Sequence, residues 1–417
     1  MVAEQDPVTD MEVAAPSAVI VDIHGVEDNV DVLKQTVNHL LVMENVSSPL
    51  YVYFLTSTET LDVPINGLTG ASMTTSMVVG EGRVDCFYDA KRKLDNVEVV
   101  NVCVLCCEPC EEYWKSVCGA IFTPVHTWRI ETTTCDVTVL VDAKSALPDL
   151  RKMLETLPSI GDVNVLKTTL IPSDTFNHGY STRCGGITSI PSLASLNLLY
   201  TPRKRDSRLT VAENLRRLAR TARFDPDQFH VTRTNHANKV WVVGKEQSEK
   251  YDAIVTDKPG VTVAAAGADC TPLLFVDPVK RVCGAAHAGY LGTLKRVVVE
   301  TVNALVEEFG SNVKDILVTM GPTLCSNCFS FDRTDPAVEE FLAIDQTTVD
   351  FRVNGEGTRV HAGLVTTNTL LLERMGIKPN NIDTSRATCT ACDPDRFFSF
   401  QRDRFPFGNQ VGFVSIR

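Results

Sequence analysis

GVTVAAAGADCTPLLFVDPVKRVCGAAHAGYLG, residues 260–292, sets apolar runs on either side of Asp269-Cys270 and a turn signal at Asp277-Pro278. Short apolar runs bounded by turn residues read as buried strands. The brief connection at Asp277-Pro278 folds two of them into an antiparallel hairpin. That hairpin brings Cys270 and His287 to the same end of adjacent strands.

Working outward, Leu294, Val297, Val298, Thr301, Val302, Leu305 and Val306 make an apolar helical stripe that Gly310 stops. DILVTMG (315–321) reads as a buried strand, about 362–375 as a helix ending at Gly376, and the terminal QVGFVSIR as a closing strand. Upstream, Thr210-Val-Ala-Glu213 is a capping box that predicts a helix from residue 211. In the N-terminal half AVIVDI (18–23), YVYFLTS (51–57), VEVVNVCVLC (97–106) and CDVTVLVDA (135–143) read as strands. Helices are predicted after Asp28 and over about 146–156, and a further strand near 162–166. The reading is α/β: a mixed multilayer sandwich in the C-terminal half and a smaller α/β N-terminal domain. The expected divisions are a disordered tail at 1–16, an N-terminal domain at 17–168 and a C-terminal domain at 169–417, with the boundary near 165–172.

At 417 residues the chain exceeds one ordinary core. Its 44% hydrophobic and 22% charged content is that of a soluble globular protein. No apolar run reaches bilayer-spanning length, and the acidic N-terminus lacks a signal pattern, so a cytoplasmic location is expected. A formal charge of −12 argues against nucleic acid or anionic membrane as a partner. The one dense basic run, PRKRDSR at 202–208, reads as a solvated loop. The 14 cysteines are expected to be mostly reduced. Four CxxC pairs occur among them. Cys103/Cys106 and Cys107/Cys110 merge in CVLCCEPC, where a four-thiolate zinc is one alternative. Cys325/Cys328 and Cys389/Cys392 lie in the second half, and the latter pair reads as core packing. No GxGxxG follows a strand, and neither a phosphate-binding GxxxxGK[ST] nor the HxE…PCxxC deaminase signature is present. The N-terminal domain shows no chemistry of its own and reads as a module that binds protein partners or dimerises.

Chemistry concentrates on three positions. His236 stands just ahead of a strand in TNHANKVWVV, Cys270 between two strands, and His287 at a strand end before glycines. Two imidazoles and one thiolate suit a tetrahedral zinc with an open fourth position. The same residues permit a metal-free alternative, with Cys270 as nucleophile, His287 as base and Asp269 as its orienter.

The blocks HGYSTRCGG (178–186), SLASLNL (192–198), AENLRRL (212–218), NHANKVWVVGK, YDAIVTDKPGVTVAAAGADCTPLLFVD, AAHAGYLGT (285–293), GPTLCSNCF (321–329), CTACDPDRFFSFQRD (389–403) and QVGFVSI occur in order. Over about 171–417 the chain thereby resembles the laccase-domain family, also called polyphenol-oxidase-like or purine nucleoside phosphorylase-like. The extra N-terminal half is similar to the layout of its animal members. The resemblance implies a purine nucleoside enzyme. Its activities would be phosphorolysis of adenosine, inosine, guanosine and 5′-methylthioadenosine with inorganic phosphate as co-substrate, and deamination of adenosine. It also implies a metal held by His236, Cys270 and His287. Zinc is favoured over copper, because a multicopper centre needs more histidines than the chain's 8 provide. Within that reading Arg183 and Arg402 are candidate phosphate anchors, Asn197 and Tyr290 candidate substrate contacts, and His178 and Asp269 candidate proton carriers. The sequence departs from the family pattern at Thr234-Asn235, Tyr290 and Gln401, which bears on substrate preference. Two other classes stay open: the metal-free Cys-His hydrolase, and a non-catalytic scaffold.

Overall fold

The computed structural model describes residues 16–25, 35, 37, 49–57, 73–134, 141–354 and 357–417. The tail at 1–15, the helix expected after Asp28 and most of the strand expected at 135–143 lie outside the described residues. The chain divides into two units, one of residues 1–158 with 200–210, the other of 159–199 with 211–417.

The first unit is α/β. Strands β1 (Ala18–Asp22), β2 (Leu50–Thr56), β3 (Met73–Val79), β4 (Asn101–Cys107) and β5 (Thr127–Thr133) form one sheet in the order β3-β2-β1-β4-β5. Every pairing is parallel. Parallel strands of one sheet require crossovers, and the helices Arg83–Asn96 and Glu111–Ile121 carry the chain from β3 to β4 and from β4 to β5. Val19, Val21, Val52, Phe54, Cys103, Leu105 and Cys107 share one core cluster, the period-2 signature of strands covered on their faces. β4 begins four residues later than the apolar run suggested, because Val97 caps the preceding helix. Cys103, Cys106, Cys107 and Cys110 are all buried, and the four do not gather as metal ligands, since the sulfur of Cys107 is in a disulfide while the other three are free thiols. The carboxylate of Asp22 is buried too, and is satisfied by His24 at 2.8 Å, Arg83 at 3.0 Å and the indole N–H of Trp114 at 2.9 Å.

The basic run at 202–208 does not form a solvated loop. Lys204, Arg205, Asp206 and Ser207 are buried within the first unit. Arg205 donates to Asp95 O at 2.6 Å, Lys91 donates to Arg205 O at 3.4 Å, and burial pushes Lys204 down to about 8. Long basic side chains can be buried when their heads find carbonyl or carboxylate partners, which a count of charges does not reveal.

The second unit is a four-layer sandwich. One sheet contains β9 (Val240–Val242), β10 (Ala253–Thr256), β12 (Thr271–Asp277), β13 (Val282–Ala288), β14 (Leu317–Met320) and β18 (Ile382–Asp383). Its order is β18-β14-β12-β13-β10-β9. The other, in the order β6-β7-β19-β11-β8, contains β6 (Val165–Leu166), β7 (Phe176–Ser181), β8 (Phe229–Val231), β11 (Thr262–Gly267) and β19 (Gln410–Ile416). Alternation assigns the faces. Leu274, Val276, Cys283 and Ala285 meet Val263, Ala265, Val414 and Ile416 between the sheets. Leu273, Phe275, Val282 and Ala286 turn outward onto Val298, Val302 and Leu305 of the helix Val297–Phe309 and Leu371 and Leu372 of the helix Leu364–Arg374. Ala264, Val411 and Phe413 meet Leu218 and Ala222 of the helix Arg208–Ala222 on the far side. Each fully buried Leu, Val or Phe contributes roughly 1.5–3 kcal/mol, so the hairpin's apolar pattern dominates this core. A small sheet of β15 (Ser330–Asp332), β16 (Val349–Asn354) and β17 (Gly357–Ala362) stands apart, in the order β15-β17-β16.

The hairpin forms in the register Thr271↔Ala288 and Pro272↔His287, and Asp277 accepts N–H bonds from Val279 and Lys280 at 2.8 and 3.0 Å to close its turn. The helix expected from residue 211 starts at 208 instead. Ser207, not Thr210, supplies the capping oxygen, accepting the Thr210 N–H at 3.1 Å. Glu213 turns away from the cap, because its buried carboxylate pairs with Arg217 and Arg220. The segment 165–172, expected as a domain boundary, lies inside the second unit, where Val165 and Leu166 pair with Ser181 and Tyr180.

Candidate metal centre

Two loops and the end of one strand in the hairpin sheet carry the central residues. His236 lies between β8 and β9, Cys270 between β11 and β12, and His287 near the end of β13. One ligand atom from each lies within 4.8 Å of the other two. The two imidazole rings stand 5.0 Å apart at 73°. His287 is buried, 5% exposed, while His236 and Cys270 are more open.

Asp252, at the head of β10, builds this arrangement. One carboxylate oxygen accepts the His236 N–H at 3.0 Å and meets His287 Nδ1 at 3.0 Å. The other accepts the N–H groups of Asn235 at 3.2 Å and Ala237 at 2.9 Å. The main chain joins in, with His287 N–H donating to Asp252 O at 2.7 Å. With Nδ1 committed to Asp252, His287 turns Nε2 toward Cys270 and His236. His236 has φ +58°, a left-handed conformation that costs a side-chain-bearing residue energy unless neighbours hold it. The Asp252 carboxylate, gripping three successive N–H groups, does so. Gly289 completes the fit, since a Cβ there would stand 2.7 Å from Cys270 Sγ and 3.0 Å from the His236 ring.

The electrostatics suit a ligand set. Burial pushes the Cys270 thiol up, but the facing rings of His287 and His236 outweigh it and bring the thiol down to about 6. Burial depresses His287, yet Cys270 and Asp252 raise it to about 9. Asp252 is raised by burial and lowered further by His287 and the backbone N–H groups, ending below the usual carboxylate range. Two imidazole nitrogens and one thiolate brought within 4.8 Å of one another fit the donor set that zinc takes.

A family model described as multi-copper polyphenol oxidoreductase laccase matches residues 177–417. The mouse protein named purine nucleoside phosphorylase LACC1 is 38% identical over 347 residues, covering 79% of each chain. The chain belongs to the laccase-domain family. A prokaryotic member named adenosine deaminase RL5 is 31% identical over 212 residues, 47% of this chain and 76% of that one. The crystal structure of YlmD from Geobacillus stearothermophilus superposes with a TM-score of 0.53 at 28% identity, covering 58% of this chain and 92% of that chain.

Other positions of this laccase-domain chain singled out in the sequence are placed as follows. Asp269 is filled with partners. Its carboxylate accepts Thr390 Oγ1 at 2.6 Å, Ser399 Oγ at 2.7 Å and Gln401 N–H at 2.6 Å. The carboxylate that orients His287 is therefore Asp252, not Asp269. Arg183 stacks on Phe398 at 4.8 Å and donates to the carbonyls of Ala194, Pro394 and Pro191 at 2.9, 2.9 and 3.2 Å. Arg402 pairs with Asp403 at 2.7 Å and donates to Thr390 O and Phe397 O, both at 2.8 Å. Asn197 is wholly buried and accepts the Asn409 N–H at 3.1 Å. His178 is buried on β7 with Nε2 3.2 Å from Thr168 O, and burial lowers its pKa. These contacts make loop braces of Asp269, Arg183, Arg402 and Asn197. Tyr290 directly follows Gly289, is half-buried, and joins Phe329 and Phe331 in an aromatic cluster at 6.0 and 5.5 Å.

The sequence reading missed Asp252. A usable signal was present, because an acid directly ahead of an apolar strand, AIVT, puts a charge at the edge of the core, where it demands partners.

Proposed function

We propose that this laccase-domain chain is a zinc-dependent purine nucleoside enzyme. In this reading it phosphorolyses adenosine, inosine, guanosine and 5′-methylthioadenosine to base and pentose 1-phosphate, and deaminates adenosine at the same centre. The observation that carries the reading is the convergence of His236, Cys270 and His287, with His287 oriented by Asp252, in a chain related to proteins named purine nucleoside phosphorylase and adenosine deaminase.

The zinc ion would be held by His236, Cys270 and His287, and when bound it supplies Lewis acidity at one open position. Asp252 keeps the His287 ring in the tautomer that offers Nε2. Gly289 leaves room for Cys270 and His236 to approach. Tyr290, backed by Phe329 and Phe331, offers an aromatic face on which a purine ring would stack. Asp269, braced by Thr390, Ser399 and Gln401, sets the chain direction into Cys270 and so acts on its position rather than on a proton.

The test is turnover of purified zinc-loaded protein with adenosine, with and without phosphate, followed for adenine, inosine and hypoxanthine. The expected result is phosphate-dependent adenine release, abolished in Cys270→Ala. Failure to turn over any purine nucleoside with zinc in place would sink the proposal. A second reading draws on the same electrostatics. A thiol lowered to about 6 beside an imidazole raised to about 9 and a carboxylate also describes a Cys270–His287–Asp252 nucleophilic triad. Metal analysis separates the two, because the triad needs no zinc and a chelator would leave its activity intact.

A further inference from the structure

Four more sulfurs meet outside this centre. Cys325 and Cys328 form one CxxC pair and Cys389 and Cys392 another. The Sγ atoms of all four lie within 4.8 Å of one another. We propose that these four thiolates bind a structural zinc ion that ties together the two loops holding Asp269.

The main chain brings the pairs side by side. Thr323 and Cys389 form a parallel bridge, with Thr323 N–H donating to Thr388 O and Thr390 N–H to Thr323 O, both at 3.0 Å. Just past this registration the first pair turns back on itself, because the N–H groups of Cys328 and Phe329 donate to Cys325 O at 3.0 and 3.1 Å. Such a turn puts two sulfurs three residues apart on one side. The Cys325 N–H also donates to the Cys389 sulfur at 3.4 Å, the kind of amide contact that steadies a metal-bound thiolate.

Distance and exposure separate the alternatives. The Cys328 and Cys392 sulfurs are 3.4 Å apart. A disulfide requires about 2.05 Å, whereas sulfurs around a tetrahedral zinc, each about 2.3 Å from the ion, stand about 3.8 Å apart. Core packing was the sequence expectation for Cys389 and Cys392, and the structure overturns it: Cys392 is exposed and the other three are half-buried. Four ligands from the protein close the coordination shell, which fits a structural ion rather than a catalytic one.

The consequence reaches the neighbouring centre. Leu324, one residue before Cys325, donates its N–H to Asp269 O at 3.0 Å, and Thr323 Oγ1 donates to the same oxygen at 2.9 Å. Thr390, one residue after Cys389, donates to the Asp269 carboxylate at 2.6 Å. Asp269 has φ +102° and immediately precedes Cys270. The ion would cross-link, over a span of 64 residues, the two segments that hold this unfavourable backbone in place. The proposal stands independently of the catalytic reading.

The experiment uses the full chain, reduced, loaded with zinc, desalted and analysed for metal. About two zinc ions per chain are expected, falling to about one in Cys270→Ser and to about one in Cys392→Ser. So that a misfolded variant does not decide the outcome, the Cys270→Ser protein is also loaded with cobalt(II). Intense sulfur-to-cobalt charge transfer with tetrahedral ligand-field bands is expected there. In the wild-type protein, zinc is expected to protect all four cysteines from iodoacetamide. A wild-type content of about one zinc that vanishes in Cys270→Ser, with the four cysteines freely alkylated, overturns the proposal. Iron in place of zinc, or a Cys328–Cys392 disulfide in protein purified under reducing conditions, overturns it as well.

Discussion

Asp252 touches both histidines of the proposed zinc site without being a ligand, which makes it the sharpest probe of that site. Asp252→Asn keeps the shape but replaces one carboxylate oxygen by an NH2, which cannot accept from both His287 and the gripped N–H groups. We expect zinc affinity to fall about 10–100-fold, measured by competition with a chromophoric chelator, with the circular dichroism spectrum unchanged. Unaltered affinity would show that His287 needs no orienting partner. The same titration has a pH dependence of known sign. In the metal-free protein Cys270 is a thiolate above about 6 and His287 an imidazolium below about 9. Between those values zinc must displace the His287 proton, so affinity should rise with pH. Below about 6 Cys270 is protonated as well and the slope should steepen, and above about 9 it should flatten. A flat profile from pH 6 to 9 would mean that the pair is not ionised in this way.

The loops that carry Arg183 and Arg402 are held by those side chains rather than presenting them. Arg402 links the Thr390 and Phe397 carbonyls and the Asp403 carboxylate. Arg402→Ala leaves two carbonyls and a partly buried carboxylate short of a donor. The expected cost is about 1–3 kcal/mol, read as a melting temperature several degrees lower with the KM for phosphate unchanged. A raised KM at constant melting temperature would return Arg402 to the role of phosphate anchor. Elements with strong local signals were legible in the sequence. The hairpin β12–β13 followed from short continuous apolar runs about the Asp277-Pro278 turn, and the helix Val297–Phe309 from its stripe and from Gly310, which takes the left-handed conformation at φ +66°. The start of the helix Arg208–Ala222 was misread because two hydroxyls compete. Ser207 and Thr210 lie 3.0 Å apart, and Ser207 takes the capping role.

The division of the chain yields a prediction of its own. Tyr200–Thr210 belongs to the first unit although it lies in sequence between two stretches of the second. A truncated chain of residues 159–417 strips Lys91 and Asp95 from the buried Lys204–Ser207 segment. It should therefore be less soluble and lower-melting than the same truncation carrying Ser at Lys204 and Arg205, as judged by static light scattering and thermal scanning. Equal behaviour of the two would show that the segment is indifferent to the loss of its partners. No helix among the described residues is long and apolar enough to cross a membrane.

Local chemistry was sufficient to write down the hairpin, the helices Val297–Phe309 and Leu364–Arg374, and the place of His236, Cys270 and His287 at strand ends, but not β3, β5 or the helices Arg83–Asn96 and Glu111–Ile121. Those features depend on neighbours a few residues away, and apolar periodicity and turn residues encode them directly. The partnership of Asp252 with His287 spans 35 residues, and that of Cys325 with Cys389 spans 64. Each arises from backbone registration, β10 on β13 in one case and Thr323 on Cys389 in the other. A single chain read in order carries no record of which distant segments will lie side by side, because that choice is made by the summed burial of whole sheets rather than by the residues that finally touch.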